Sequence, residues 1–430
     1  MPLIEPRVLK GFRDFLPLQE LARRGMIEKI ETVFRSFGFV PIDTPALEYA
    51  EILLGKGGGE TEKQIYRFND QGGRDVAMRF DLTVPFARFV SEHRAELPLP
   101  FKRYHIAKVW RGENTQRGRY REFTQCDFDI VGSDSAAADF EILLMMHYTL
   151  NLLCGGITIR LNHRGLFNRF LATLGIGEKS AEILRQVDKL AKTGRDGVQE
   201  SLERITGAEQ SKKILDFISL GQEGDFDTVL EKCTTAAGDG SDIERLRTLR
   251  RFMKDAGVAG SFVLDPSITR GLDYYTGVVY ESFLDKMPGI GSVCSGGRYD
   301  NLTGLYSKEP VPGVGSSIGL DRLQAALEEL GQKGGHIGYA DAAIVCLDTE
   351  ETGKAQKLAE GFRRQGLQCE VFLEAKKTAQ QFVLAEKKGI TWAIIPDYST
   401  GRHTLRNITR REDTNDLTVE AAIALINQKG

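Results

Sequence analysis

The sequence lacks the features that mark secreted, membrane-spanning and metal-finger proteins. No apolar run approaches the ~20 residues of a membrane-spanning helix, and the first residues lack the basic start and apolar core of a secretory signal. The six cysteines are far apart without a CxxC pair, and the six histidines form neither HxxxH nor HExxH. These absences predict a cytoplasmic protein with reduced thiols and no histidine- or cysteine-ligated metal.

The composition is that of a globular protein with more than one domain. Of the 430 residues, 41% are hydrophobic and 27% are charged, and the net charge is −3. A chain of this length exceeds one ordinary core, so two or three domains are expected. The net charge argues against nucleic-acid binding over the whole surface, yet residues 102–121 contain seven Lys or Arg and one acid. Such a cluster either binds anions or forms a solvated loop face.

Hydrophobic periodicity divides the chain into segments. Helix and strand patterns are mixed over 1–165 and 255–328, which predicts one α+β domain formed by both stretches. Residues 166–254 are rich in Leu, Lys, Glu and Arg at helical spacing and predict a helical insertion. The glycine-rich stretch 329–338 is expected to be a linker. Strand and helix alternate over 339–430, which is typical of a small α/β domain.

A long-looped hairpin contains the densest group of polar residues. Two strand-like runs, 103–111 and 122–131, flank the basic loop 112–121. Period-two alternation in the second run gives one face an aromatic ring, an amide and two carboxylates, from Phe123, Gln125, Asp127 and Asp129. Because a buried carboxylate is costly without a partner, this face is either wet or a ligand site.

Three other segments place polar groups near strand or helix ends. In MRFDLTVPFARF (78–89), Asp81 and Thr83 share a face, although Thr83 is also a plausible helix start. In PGVGSSIGLDRLQAALEEL (312–330), Arg322 falls in the first turn of a predicted helix, where exposed backbone N–H groups favour an anion. In RGLDYYTG (270–277), a cation, a carboxylate and two phenols lie on a glycine-flanked turn, which alone would be a solvated hairpin.

Together these segments resemble motifs of one enzyme class. DTP (43–45), the arginine-ended strand with its basic loop and Arg-Glu-Phe, and GLDRL resemble motifs 1, 2 and 3 of class II aminoacyl-tRNA synthetases. RGLDYYTG (270–277) and CSGGRYDNL (294–302) resemble the signature peptides of the histidyl-tRNA synthetase family, and KGFRDFLP, RFDLTVPFAR and RGRYREFTQCDFDIVG agree with it. The resemblance covers essentially the whole chain. It implies an α+β catalytic domain with an antiparallel sheet flanked by helices, a helical insertion and a C-terminal α/β anticodon-binding domain.

The resemblance also implies site residues. The catalytic residues implied are Arg270 and Arg111, both on the α-phosphate of ATP, where a guanidinium stabilises developing charge. The histidine-binding residues implied are Asp81, Thr83, Gln125, Asp129, Arg270, Tyr274 and Tyr275. Tyr275 and Asp129 would bind the two imidazole nitrogens, and Asp81, Thr83 and Gln125 the α-amino group. The ATP-binding residues implied are Arg111, Glu113, Arg119, Phe123 and Arg322, of which Phe123 and Arg322 would sandwich the adenine. Some family members carry Glu at the positions of Asp81 and Asp129.

The reaction implied by the resemblance is histidine–tRNA ligation in two steps. Histidine carboxylate displaces pyrophosphate from Mg-ATP, and the terminal 3′-hydroxyl of tRNA(His) then attacks the adenylate. The resemblance implies Mg²⁺ with ATP, L-histidine and tRNA(His) as partners, a homodimer and no membrane. One alternative is a histidine-sensing regulatory subunit of ATP phosphoribosyltransferase, which typically lacks the RGLDYY loop and the C-terminal domain. Another is a tRNA-sensing domain of a regulatory kinase, but HRDLxxxN and DFG are absent.

Overall fold

A computed structural model describes residues 3–55, 60–270, 274–331 and 338–429 of the chain. The chain forms two compact units. The first comprises Met1–Phe12 and Lys29–Gln332, and the second comprises Arg13–Glu28 and Lys333–Gly430. Within the described ranges, no helix is long and apolar enough to cross a bilayer.

Up to residue 329, helices and strands alternate irregularly. The helices are α1 (Pro17–Ser36), α2 (Ala50–Leu54), α3 (Glu60–Gln64), α4 (Thr83–Glu92), α5 (Ala136–Leu153), α6 (Arg164–Thr173), α7 (Ser180–Val187), α8 (Leu190–Thr206), α9 (Ala208–Ser219), α10 (Phe226–Ala237), α11 (Ser241–Asp255) and α12 (Leu320–Glu329). The strands are β1 (Val40–Pro41), β2 (Leu47–Tyr49), β3 (Arg67–Asn69), β4 (Asp75–Met78), β5 (Phe101–Trp110), β6 (Glu122–Val131), β7 (Ile157–His163), β8 (Phe262–Leu264), β9 (Val278–Leu284), β10 (Cys294–Tyr299) and β11 (Gly313–Gly319).

An eight-stranded sheet organises the first unit. Its order is β1-β5-β6-β11-β10-β9-β7-β8. The outer pairs β1–β5 and β7–β8 are parallel, and the strands between them pair antiparallel. Helices α5 and α12 pack against this sheet through β11 and β6. The predicted α+β class with an antiparallel sheet is therefore confirmed. A separate three-stranded sheet has the order β2-β4-β3.

The predicted hairpin is present and its polar face is not wet. Strands β5 and β6 pair over ten residues, from Phe101 opposite Val131 to Trp110 opposite Glu122. Beyond its first two residues, every residue of β6 is buried. Packing on one face is expected for a half-buried strand, but here the carboxylates of the other face are buried too. The interpretation of this face as solvated is therefore excluded, and its interpretation as a buried polar site remains.

Between β7 and β8 the chain is helical. The described residues from 164 to 261 form α6–α11 with short 3₁₀ turns at Gly177–Lys179, Leu220–Gln222 and Ala259–Ser261, and they contain no strand. Helix α8 is kinked at Gly194, whose φ of 73° lies outside the helical region and is accessible to glycine. The limits of 166–254 as a separate insertion domain stay a prediction.

The second unit contains an α/β fold at its C-terminal end. Its elements are β12 (Ala342–Ile344), α13 (Thr352–Arg364), β13 (Cys369–Val371), α14 (Thr378–Lys387), β14 (Trp392–Ile395), β15 (His403–Asn407), β16 (Glu412–Leu417) and α15 (Val419–Lys429). The sheet order is β13-β12-β14-β15-β16, parallel in its first three strands and antiparallel in its last three. Of the proposed 329–338 linker, residues 332–337 lie outside the described residues.

Candidate active site

Two rows of residues cross the centre of the eight-stranded sheet on one face. Strand pairing defines one row as Arg103, Asp129, Gly315, Gly297, Val279 and Asn162, and the next as His105, Asp127, Ser317, Ser295, Glu281 and Arg160. Residues two apart on a strand share a face, so both rows point to the same side of the sheet. This side is the candidate active site.

A buried ion pair lies at the centre of the first row. Arg103 is fully buried, and its Nη2 lies 2.7 Å from Oδ2 of Asp129. The other oxygen of Asp129 accepts a hydrogen bond of 2.5 Å from the hydroxyl of Tyr299. The Arg103 guanidinium also lies 4.0 Å from the ring centre of Phe86. Burial raises the pKa of Asp129 even though Arg103 and Tyr299 favour its ionised form.

Glycine makes room for this carboxylate. A Cβ on Gly315 would lie 1.9 Å from Oδ1 of Asp129 and 2.9 Å from the carbonyl oxygen of Phe128. One strand further, a Cβ on Gly297 would lie 2.8 Å from the ring of Tyr275. Both approaches are shorter than van der Waals contact, so these strand positions exclude any larger residue without displacement of the site.

Replacement of Gly315 by alanine is expected to destabilise the protein and to weaken ligand binding at Asp129. Overpacking of a close-packed site costs about 1–3 kcal/mol. The matched control is Gly25→Ala in α1, where a Cβ would meet nothing within 4 Å and alanine should stabilise an exposed helix by up to ~1 kcal/mol. Thermal unfolding measures both variants. An unchanged Tm for Gly315→Ala would contradict the steric argument.

Asp127 and Asp81 add two more buried carboxylates. Burial, with Asp129 and Asp81 nearby, raises the pKa of Asp127 to about 7 although Arg103 opposes the shift. Asp81 lies just before α4, and its Oδ1 accepts a hydrogen bond of 3.0 Å from the backbone N–H of Val84. Burial raises the pKa of Asp81 as well. Helix α4 begins at Thr83, so the predicted helix start is confirmed, and the carboxylate that accepts from its first turn belongs to Asp81.

The amide of Gln125 lies on the same face of β6. Its Nε2 donates to the hydroxyl oxygen of Ser317 at 2.8 Å. Its Oε1 is buried and has no hydrogen-bond partner within the described ranges. The polar end of Gln125 is therefore held by one contact, and its acceptor oxygen remains available to a ligand.

The RGLDYY segment lies between β8 and β9. Arg270 has a positive φ of 53°, which is uncommon for a residue with a side chain. Its guanidinium forms an ion pair with Glu281 on β9. Burial alone would lower the pKa of Arg270, but Glu281 together with Tyr275, Asp188 and Tyr274 outweighs this effect and the pKa is raised. Tyr275 is buried and Tyr274 is partly buried, and the two are hydrogen-bonded to each other. Residues 271–273, including Asp273, lie outside the described residues.

Arg164 holds both ends of this segment. Its Nη1 donates to the carbonyl oxygen of Tyr275 at 2.6 Å, and its Nη2 donates to that of Arg270 at 3.1 Å. Its backbone N–H donates to the carbonyl oxygen of Gly277 at 2.9 Å. One arginine at the start of α6 thus fixes the backbone on which Arg270, Tyr274 and Tyr275 are carried.

The residues expected to bind ATP lie near the first residues of β6. Arg111 donates from Nε to the carbonyl oxygen of Phe80 at 3.0 Å, and its guanidinium lies 5.1 Å from the ring centre of Phe123. Glu113 lies between Arg111 and Arg119, with N···O distances of 4.0 and 3.7 Å. These contacts place a flat aromatic ring and several charges of both signs around one end of the strand.

Arg322 joins this end of the site from α12. Its Nη1 donates to the carbonyl oxygen of Ser292 at 2.5 Å, and a Cβ on Gly118 would lie 3.3 Å from its Cα. Burial and the positive charge of Arg119 lower the pKa of Arg322 to about 10. The loop 112–121 therefore passes close to the start of α12.

The basic cluster over 102–121 is only partly a loop. Lys102, Arg103 and Lys108 lie on β5 and are paired with Glu141, Asp129 and Glu122. Arg117 forms an ion pair of 2.8 Å with Glu329. The β5 members therefore each have a carboxylate partner, supplied by strand pairing or by a neighbouring helix, and the prediction of an anion-binding or solvated face concerns the loop 112–121.

Sequence reasoning missed several residues of the site. These are Arg103, Glu281, Tyr299, Arg164 and Ser317. The hairpin register, if applied to the sequence, would have placed Arg103 opposite Asp129. No sequence signal links Tyr299 or Arg164 to their partners, which are distant along the chain, or Glu281 to Arg270, which lies 11 residues before it. Within the described ranges, no group of three or more His, Cys, Asp or Glu residues could hold a metal ion.

Comparison with known proteins identifies the class of the fold. A family model described as histidyl-tRNA synthetase matches residues 11–323, and one described as anticodon binding domain matches 341–429. The crystal structure of histidyl-tRNA synthetase from Nostoc sp. PCC 7120 covers 100% of both chains with a TM-score of 0.88 and 30% identity. The fold is thus that of a class II aminoacyl-tRNA synthetase.

Curated relatives agree at higher identity. Histidine–tRNA ligase from Treponema denticola is 56% identical over 402 residues, covering 92% of this chain and 90% of the relative. Histidine–tRNA ligase from Helicobacter hepaticus is 45% identical over 446 residues, covering 100% of both. The chain belongs to the histidyl-tRNA synthetase family.

Proposed function

We propose that this protein is a histidine–tRNA ligase. The observation that carries the proposal is the separation of charge along β6. Buried carboxylates, Asp127 and Asp129, lie towards its far end, whereas Arg111 lies over the ring of Phe123 near its start. An amino acid with an ammonium and an imidazole suits the acidic end, and the phosphates of ATP suit the basic end. The α-phosphate, whose bond to pyrophosphate breaks in the reaction, would then lie between the acidic and the basic end of the strand.

In the first step, the carboxylate of histidine attacks the α-phosphate of ATP, the new acyl–phosphate bond forms, and pyrophosphate leaves. Arg111 and Arg270 neutralise the charge that develops on the phosphate oxygens. Glu281 holds the Arg270 guanidinium, so the cation is oriented before substrate arrives. Glu113 binds the adenine amino group, Arg119 lies near the terminal phosphates, and Phe123 and Arg322 enclose the base.

The same pocket selects histidine. Asp129 accepts a hydrogen bond from one imidazole nitrogen, and Tyr275 binds the other, because the two nitrogens of a neutral ring are one donor and one acceptor. Asp81, Thr83 and Gln125 surround the α-ammonium. Tyr274 buttresses Tyr275 through their hydrogen bond.

ATP enters with Mg²⁺ as part of the substrate. The phosphates of ATP would hold the ion, because their oxygens are hard ligands of the kind that Mg²⁺ prefers. The ion offsets the negative charge of the phosphates. No other metal is needed for the roles assigned to the residues above.

In the second step, the 3′-hydroxyl of tRNA(His) attacks the adenylate and AMP leaves. The C-terminal domain, 339–430, would bind the anticodon. Residues 341–430 carry 13 Lys or Arg and 13 Asp or Glu, which favours stacking and base-edge contacts over a purely electrostatic surface. We further propose a cytoplasmic homodimer, with a catalytic domain over 1–165 and 255–328 and an insertion over 166–254.

A histidine-sensing regulatory subunit is not favoured. The relatives at 40–56% identity are named histidine–tRNA ligases, and the RGLDYY sequence and the C-terminal domain are both present. ATP–pyrophosphate exchange with each of the twenty amino acids tests the proposal. Exchange with histidine alone is expected. Absence of exchange with every amino acid, together with histidine binding in calorimetry, would favour the regulatory subunit instead.

A further inference from the structure

Asp127 is a buried carboxylate to which the proposed reaction gives no role. It is 1% exposed, and its Oδ1 accepts no hydrogen bond from the described residues. Strand pairing places it between His105 on β5 and Ser317 on β11. Burial of a carboxylate is costly unless the group has a partner. Asp127 has a hydrogen bond with Ser317, and this contact is the starting point for its role.

Ser317 connects Asp127 to Gln125. It hydrogen-bonds the carboxyl of Asp127, which opposes the rise in the pKa of that group, and it receives the 2.8 Å hydrogen bond from Nε2 of Gln125. A serine hydroxyl has one proton, and an ionised carboxylate can only accept. Ser317 therefore donates to Asp127 and accepts from Gln125. Only the NH₂ end of the Gln125 amide can satisfy Ser317 in this arrangement.

The other end of the amide is left for the ligand. Oε1 of Gln125 is buried and has no donor among the described residues, and an ammonium group offers three donors and no acceptor. We propose that Asp127 is a positioning residue that acts through Ser317 to keep Oε1 of Gln125 directed at the α-ammonium of the amino-acid substrate. This chain from Asp127 through Ser317 to Gln125 is called the amide relay below. The inference rests on the proposed function.

The groups around Asp127 have opposing effects on its ionisation: burial and the carboxylates of Asp129 and Asp81 raise its pKa, whereas Arg103 and Ser317 favour the ionised form that the relay needs. Arg103 and His105 face it from β5, Asp129 from β6 and Asp81 from the start of α4, and Arg103 is paired with Asp129. A substrate ammonium brings a positive charge beside these carboxylates. Opposite charge favours ionisation of a carboxyl group, so substrate binding and the accepting form of Asp127 support each other.

The test measures the calorimetric Kd of L-histidine for Asp127→Ala, Ser317→Ala and Gln125→Leu, singly and in combination. Loss of one hydrogen bond of ordinary net strength corresponds to a rise in Kd of about tenfold. Each single variant is expected to show this rise, and Asp127→Ala in the Gln125→Leu background is expected to add none. Histidinol, which keeps the ammonium and lacks the carboxylate, should lose affinity by the same factor.

The matched control is Ser316→Ala. Ser316 is the neighbouring residue on β11, faces the opposite side, and donates to the carbonyl oxygen of Ser295 at 3.1 Å, so its loss should leave the histidine Kd unchanged. Asp127→Asn keeps an acceptor for Ser317 and should bind histidine nearly as well as the wild type, which serves as the rescue if Asp127→Ala does not fold.

Two outcomes separate the relay from the proposed function. One outcome is that Asp127→Ala raises the histidine Kd by the same factor in the Gln125→Leu background as in the wild type, while the wild type shows normal exchange. This result would overturn the relay alone, because Asp127 would then act independently of Gln125. A wild-type protein that neither binds histidine nor supports exchange would overturn the proposed function and the relay together.

Discussion

Arg270→Lys is expected to lower the rate of histidine-dependent ATP–pyrophosphate exchange by about 10²–10³-fold, the usual effect of removing one charge-stabilising donor. Lysine keeps the positive charge but cannot make the forked contact of a guanidinium. It also cannot hold Glu281 and reach the phosphate with separate nitrogens. Calorimetric binding of histidine should remain measurable, because Asp129 and Tyr275 are unchanged.

The matched control for this experiment is Arg160→Lys. Arg160 lies directly opposite Glu281 in the pairing of β7 with β9, and its side chain is partly exposed and paired with Asp265 at 2.9 Å. Its replacement should leave the exchange rate close to that of the wild type. A near-normal exchange rate in Arg270→Lys itself would remove Arg270 from the role assigned to it.

Asp129→Ala is expected to raise the histidine KM far more than the ATP KM and also to destabilise the protein. Arg103 is fully buried against Asp129, and removal of one partner of a buried ion pair typically costs about 3–5 kcal/mol. The hydroxyl of Tyr299 would lose its acceptor as well. Steady-state exchange kinetics and thermal unfolding measure the two effects separately.

A second variant separates binding from stability at this position. Removal of both charges, in Asp129→Ala with Arg103→Met, should recover most of the lost Tm, since a buried ion pair can often be replaced by apolar groups without loss of stability. It should not recover the histidine KM. Equal increases in the KM values for histidine and ATP in Asp129→Ala would mean that Asp129 has only a structural role.

Some elements could be predicted because their pattern is local. Strands β5 and β6 follow from period-two alternation and α12 from its leucine spacing, and Leu320, Leu323 and Leu327 are buried as that spacing predicts. In the C-terminal domain, β12, α13, β13, α14 and β14 match the predicted order. The hairpin of β15 and β16 was missed, because β16 has the sequence EDTNDL, which is almost entirely exposed and has no apolar alternation.

The predicted site residues come from separate stretches, and only folding brings them together. Charge interactions link Arg111 to Asp81 and Tyr274, although these residues are far apart in the sequence. Strand alternation placed Gln125, Asp127 and Asp129 on one face, but the sequence left open whether that face was wet. Burial on both sides of β6 decided the question.

The sequence by itself determined the β5–β6 hairpin, helix α12, the polar face of β6 and the family resemblance, because each depends on residue identity and spacing along a few turns or strands. The partners of the buried charges were decided only in three dimensions. Arg103 pairs with Asp129 across β5 and β6, Glu281 on β9 pairs with Arg270, and Arg164 donates to the backbone at both ends of the RGLDYY segment. A buried charge needs a partner wherever the fold supplies one, and spacing along the chain does not state where that is.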